Sequence, residues 1–134
     1  MEATIKQWFD RTAKFAVVGA RSRPELFGNS VIRFYIEQEM SVVPICDQED
    51  TIEGLATVPD LASLPGSPQD YRLSIVLDPS ETRAVLEEAH RLGIRQIWLE
   101  PGVDSPEALA YADQVGLPII AGEYSVLLEG LMYA

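Results

Sequence analysis

The sequence has one cysteine, Cys46, and one histidine, His90, and these two shortages close several kinds of chemistry at once. A lone cysteine cannot make an internal disulfide, so the chain suits a reducing compartment, and a cytoplasmic location is the expectation. No pair of Cys or His has metal-ligand spacing, so no metal is expected. A nucleophilic triad lacks support too: His90 lies late in a helical stretch beside Arg91, with no strand-end serine near it in pattern. Basic residues are equally scarce. Ten Lys and Arg face 21 Asp and Glu, a net charge of −11, which argues against nucleic acid and against an anionic membrane as partner. No apolar run approaches the roughly 20 residues of a bilayer span. Residues 1–11 carry mixed charge without an apolar core and cleavage site, so no secretory signal is expected.

What is present suits one domain over residues 1–134, since 134 residues with 47% hydrophobic content can bury a sizeable core. Residues 2–11 read as an amphipathic helix with Ile5, Trp8 and Phe9 on one side. Phe15 to Ala20 is a short apolar run ending around Gly19, the pattern of a strand buried on both faces. Asn29 or Ser30 then caps a helix to about Met40. Further strands are expected at Val42–Cys46, with Pro44 hinting at an edge, and at Leu73–Leu77, Gln96–Leu99 and Pro118–Ala121. Between them, helices start at Asp78-Pro79 and Ser105-Pro106 and end at Gly93 and Gly116. Residues 47–70 read as loop-rich with a short strand near 55–58, and a last short helix covers 126–132. Alternating strands and helices mean right-handed crossovers and a doubly wound, Rossmann-like parallel sheet of about five strands with helices on both faces.

In such a sheet, ligands sit beyond the carboxyl ends of the strands, where strand order reverses. The turn from Gly19 to Asn29 is the strongest signal. Gly19 permits a tight turn, Gly28 a close backbone approach, and the following helix start presents free N–H groups to an anion. The spacing is longer than Gly-x-Gly-x-x-Gly. An ordinary loop whose glycines serve only the turn is the alternative. Arg21 and Arg23 are placed to clamp a phosphate or carboxylate, Arg33 to make an ion pair, and Cys46 to fill core space. Six of the ten basic residues precede residue 68, so an anion site fits the first half better.

Ala16-Val17-Val18-Gly19-Ala20, Pro24, Phe27-Gly28-Asn29-Ser30-Val31 and Arg33 resemble the first strand–helix unit of the CoA-binding domain family, whose turn reads Gly-Ala-Ser-x-x-Pro-x-x-x-Gly-Asn-x-Val. The resemblance continues through Val43-Pro44-Ile45, Ile52-x-Gly54-Leu55, Val58-Pro59-x-Leu61, Val85–Gly93, Ile97–Gly102 and Leu127–Gly130. The fourth-strand motif is most similar to the fungal members. The resemblance implies CoA, an acyl-CoA or a related nucleotide held by Gly19, Ala20, Arg21, Ser22, Arg23, Phe27, Gly28, Asn29, Asp47, Pro79, Gly102 and Ser125.

This chain also departs from the family pattern. The Ser after Gly-Ala is Arg21, the Asn-Pro after the second strand is Cys46-Asp47, and the polar-Pro-Pro turn is Leu77-Asp78-Pro79. The Gln after Trp-Leu is Glu100, and a Cys near the last strand falls at Ser125, after Glu123 and Tyr124. Acidic groups at these strand ends oppose a pyrophosphate and place carboxylates where acid–base chemistry can occur. Asp78 with Pro79 and Glu81 has a capping-box explanation, whereas helix capping offers none for Glu100 or Glu123. Three readings follow. The first is a binding protein for a small CoA-type ligand. The second is a cofactor-free enzyme of isomerase or cyclase type using Asp78, Glu100, Glu123 and Tyr124. The third is a homodimer joined through exposed Trp8, Phe9 and Leu131-Met132-Tyr133.

Overall fold

In the computed structural model, which describes residues 2–134, the chain runs through α1 (Glu2–Trp8), β1 (Lys14–Val18), α2 (Phe27–Glu37) and β2 (Ser41–Ile45). A small hairpin of β3 (Thr51–Ile52) and β4 (Leu55–Ala56) follows, then β5 (Tyr71–Ile75) and α3 (Pro79–Arg91). The last elements are β6 (Gln96–Leu99), α4 (Pro106–Val115), β7 (Ile119–Ile120) and α5 (Val126–Tyr133). Five strands pair in parallel in the order β2-β1-β5-β6-β7. Chain direction across the sheet therefore reverses between β1 and β5, and their carboxyl ends flank the switch point. Pro44 lies on edge strand β2, where a missing N–H costs the sheet least.

Alternation along β1 divides the core into two layers. Phe15 and Val17 face α1, α2 and α5, whereas Ala16 packs with Leu86, Ala89, Ala108 and Ala112 of α3 and α4. This is a single Rossmann-like α/β domain with helices on both faces. In the first layer a polar chain crosses the apolar packing. The Trp8 indole donates to the Tyr35 hydroxyl (3.0 Å), which pairs with Ser74 on the central strand β5 (2.9 Å). Burial holds the Tyr35 hydroxyl well above the usual phenol range, so it stays protonated.

Three expectations are corrected here. First, α1 stops at Trp8 rather than at 11, because the Asp10 carboxylate accepts from the Thr12 amide and hydroxyl (2.8 and 2.7 Å) and closes a turn. Second, α2 begins at Phe27 with Leu26 in the capping position and no side-chain cap. Asn29 and Ser30 lie inside the helix. Third, Trp8 and Phe9 are core residues, Trp8 edge-on to Trp98 with ring centroids 5.3 Å apart, and are not available to a partner. Leu131 and Met132 on α5 are exposed.

The start of α2 lies directly on the end of β1. A Cβ on Gly28 would stand 2.7 Å from the Gly19 carbonyl oxygen and 2.9 Å from the Ala20 nitrogen, both backbone atoms. A Cβ on Gly19, at φ +118°, would collide with the Val76 carbonyl just beyond β5. Gly28→Ala is accordingly expected to lower stability by about 1–3 kcal/mol, the usual effect of overfilling a packed site. Chemical denaturation checks this, and an unchanged midpoint would show that the two backbones can separate freely.

Candidate functional site at the carboxyl end of the sheet

The β1–α2 turn is held closed by Asn29. Its buried amide accepts from the Arg21 N–H (3.0 Å) and donates to the Arg21 carbonyl (2.5 Å), bridging eight residues of loop. The same amide nitrogen donates to Glu53 Oε2 (3.0 Å), which also takes Arg33 Nη1 at 2.8 Å. Glu53 reaches this point from the tip of the β3–β4 hairpin, where Glu53 and Gly54 have φ of +50° and +80°. Positive φ at both central residues is what a tight two-residue hairpin turn requires. A second carboxylate, Glu49, accepts from the Ser22 hydroxyl at 2.6 Å. Two donors of the turn thus already hold carboxylate oxygens from the hairpin segment. Arg21 donates Nη1 to the Ala20 carbonyl (2.8 Å) and contacts the Cys46 sulfur (3.6 Å), while Arg23 reaches out to Glu25 (3.1 Å).

Beside this turn lies a cleft of about 620 Å³, bounded by Phe27, Val76, Leu77 and Val103 with Leu127 and Leu128 of α5. Its walls are apolar, and Glu100, Pro101, Gly102 and Ser125 complete the lining. Phe27 belongs to both parts: it is the first residue of α2 and a wall of the cleft, 45% exposed. An uncapped helix start with no acidic residue in its first turn carries partial positive charge and free N–H groups. The arrangement suits a ligand with an anionic head on the turn and an apolar part in the cleft.

Glu100 is 2% exposed, and no cation pairs with it among the described residues. Its Oε1 accepts from the Ser125 hydroxyl (2.8 Å) and its Oε2 from the Val126 N–H (2.9 Å), the first residue of α5. Capping therefore does explain Glu100, through a helix that starts 26 residues away rather than the one that follows it. Burial pushes its carboxyl above the ordinary range, against the lowering pull of those two donors.

The other nominated residues are dispersed. Asp78 is an exposed N-cap of α3, accepting from the Ser80 amide (3.0 Å) and hydroxyl (2.7 Å), which hold its carboxyl below the usual range. Pro79 is the first residue of that helix, and neither lines the cleft. Glu123 and Asp47 are exposed outside the cleft, and Tyr124 contributes its carbonyl to the Trp98 indole at 2.8 Å. The four carboxylate and phenol candidates do not converge on one point. Val76, Leu77, Val103, Leu127 and Leu128 were not nominated by sequence, although apolar residues just beyond strand ends were the available signal. Among the described residues no group of His, Cys, Asp and Glu could hold a metal ion, and no helix is long and apolar enough to cross a membrane.

Fold and site together define a Rossmann-like α/β domain with an apolar cleft at its switch point. A family model described as a CoA binding domain matches residues 13–130, and the chain belongs to that family. A conserved hypothetical protein from Pyrococcus furiosus is 26% identical with a TM-score of 0.80, over 87% of this chain and 98% of that one. A hypothetical protein from Pyrococcus horikoshii is 24% identical with a TM-score of 0.86, over 99% and 92%. The fold also recurs in the dinucleotide forming acetyl-coenzyme A synthetase 1 of Ca. Korarchaeum cryptofilum, in complex with phosphate and ADP. There the TM-score is 0.69 at 18% identity, covering 88% of this chain and 27% of that chain. No curated protein matches the sequence.

Because a buried carboxyl keeps its proton to higher pH than an unfolded one, the contribution of Glu100 is fully present below the ordinary carboxylate range. It is lost as pH rises through the raised folded value. Glutamine can accept from Val126 and donate to the Ser125 oxygen without ionising. The melting temperature of Glu100→Gln should therefore gain on that of the parent from about pH 4 towards neutrality. A constant offset over that range would show that Glu100 does not carry this pH dependence.

Proposed function

We propose that this chain is a binding protein that holds CoA, an acyl-CoA or a related nucleotide across the β1–α2 turn and the neighbouring cleft. The reading is carried by Phe27, which joins the uncapped start of α2 to an apolar cleft of about 620 Å³. Such a junction matches a molecule with phosphates at one end and an uncharged, partly apolar arm at the other. Backbone N–H groups at the start of α2 and the Arg21 guanidinium would take the phosphates. Arg23, already paired with Glu25 and exposed, adds little. Phe27, Leu127 and Leu128 would line the arm, with Gly102 and Ser125 at its base. Family membership supports a CoA-type ligand, and the acetyl-coenzyme A synthetase neighbour, in complex with phosphate and ADP, points in the same direction.

The hairpin carboxylates set the conditions of binding. Glu49 and Glu53 occupy Ser22, Asn29 and Arg33, so an anion entering the turn meets donors already engaged and a negative field. A modest affinity follows from this arrangement, with much of it resting on the apolar arm. A cofactor-free enzyme is favoured by one observation only. Glu100 and Ser125, a carboxyl and a hydroxyl joined by a hydrogen bond, both belong to the lining of the cleft.

Calorimetric titration with CoA, hexanoyl-CoA and ADP separates these readings. Hexanoyl-CoA should bind more tightly than CoA, each fully buried CH₂ contributing up to about 0.8 kcal/mol. Arg21→Ala should weaken all three by roughly 1–3 kcal/mol, whereas Glu53→Gln should strengthen them. If no CoA species binds at millimolar concentration, or if Arg21→Ala has no effect, the site is wrongly placed. An acid–base enzyme would instead show turnover of a metabolite that drops about 10²–10⁴-fold in Glu100→Gln.

A further inference from the structure

The opposite end of the sheet carries a second cleft with reversed electrical character. The amino ends of β5, β6 and β7 meet α1 around about 460 Å³ of space, floored by Trp8, Ile97, Pro118, Ile119 and Ile120. Arg72 and Arg95 flank it, with amides from Gln7 and Gln96 and a hydroxyl from Thr4. No carboxylate lines it among the described residues, in a chain where acids outnumber bases by 21 to 10.

The placement of charge is selective. Residues 68–134 hold only Arg72, Arg83, Arg91 and Arg95 as basic groups, and two of these four stand at this cleft. Arg83 and Arg91 are paired along α3 with Glu87 and Glu88. By contrast, Arg72 and Arg95 make no ion pair among the described residues. Arg72 is fixed by neutral acceptors: Nε donates to Gln96 Oε1 (2.9 Å) and Nη1 to the carbonyls of Gln7 and Trp8 (3.0 and 2.9 Å). Its Nη2 makes no hydrogen bond among the described residues, and the guanidinium lowers the Asp10 carboxyl electrostatically without pairing with it. The guanidinium is thus held rigidly, without an ion-pair partner among the described residues, beside an apolar floor. Rigid cations of this kind bind anions at low ordering cost.

We propose that this cleft is a second ligand site, for a small organic acid with an apolar body and one carboxylate. The body would lie on Ile97, Pro118 and Ile119 and the carboxylate between Arg95 and the free edge of Arg72. The volume falls within the range of small-molecule sites, about 300–1,000 Å³. This assignment is independent of any CoA-type ligand at the other end.

Octanoate and its neutral isostere octanamide serve as probes, with two-dimensional NMR as the readout. Octanoate should shift the Trp8 indole and the amides of Gln96 and Ile119, leaving Ser125 and Leu128 unmoved. Octanamide should bind about tenfold more weakly, the scale of a charge-assisted contact. Arg95→Gln should bring octanoate to the octanamide level. Arg95 is exposed and has no partner among the described residues, so the fold should tolerate this change. Gln96→Glu, which sets a carboxylate against Arg72, should abolish octanoate binding and spare octanamide. Equal binding of the two probes, an unaffected Arg95→Gln, shifts confined to the Ser125 cleft, or no shifts at millimolar octanoate would each overturn the proposal.

Discussion

The site at the carboxyl end of the sheet depends on one close approach, that of the Gly28 backbone to the Gly19–Ala20 peptide. Bringing α2 this near to β1 requires hydrogen in place of a side chain at Gly28. Gly19 likewise leaves no room for a Cβ beside the Val76 carbonyl. Once the helix start is pinned there, Asn29 reaches both polar groups of Arg21 and closes the loop. Phe27 is swung to the cleft, and Arg33, one and a half turns later, faces the hairpin carboxylate. The glycine pair thus acts on the candidate site through packing. Its missing side chains are filled by the protein's own backbone.

Charge organises the same region. A chain of net charge −11 has put three carboxylates where backbone or side-chain donors cluster: Glu49 on Ser22, Glu53 on Asn29 and Arg33, Glu100 on Ser125 and the first N–H of α5. Each acts as an internal anion. Two of them engage donors of the β1–α2 turn and of α2, at the candidate site. The third secures α5, whose Leu127 and Leu128 form one wall of the cleft. Removing Glu100's charge while keeping its hydrogen bonds therefore changes α5's anchorage less than deleting the side chain would.

Much of the fold was legible because its signals are local. Short apolar runs marked the strands, that of β1 ending in glycine, and Ser-Pro and Asp-Pro pairs marked the starts of α4 and α3. Signals that depend on distant partners were not legible. Asn29 has the composition of a cap, yet its amide serves a loop eight residues upstream. Glu100 lacks a local structural reason because its helix starts 26 residues later. Trp8 and Phe9 looked available to a partner since nothing local shows that Trp98 and Phe34 wait to receive them. The Glu53–Gly54 turn was missed for the same reason: its meaning lies in Arg33, on another element.

The two ends of the sheet differ in a way that follows from the topology. At the carboxyl ends, helix starts point inward and supply positive character through backbone N–H groups, so carboxylates can gather there and still be neutralised. At the amino ends the positive character comes from side chains. Arg72 and Arg95 supply it, one anchored to carbonyls and the other unpaired among the described residues. A mostly acidic chain can therefore keep two clefts of opposite polarity about one sheet length apart, each built from the groups that its end of the sheet leaves unsatisfied.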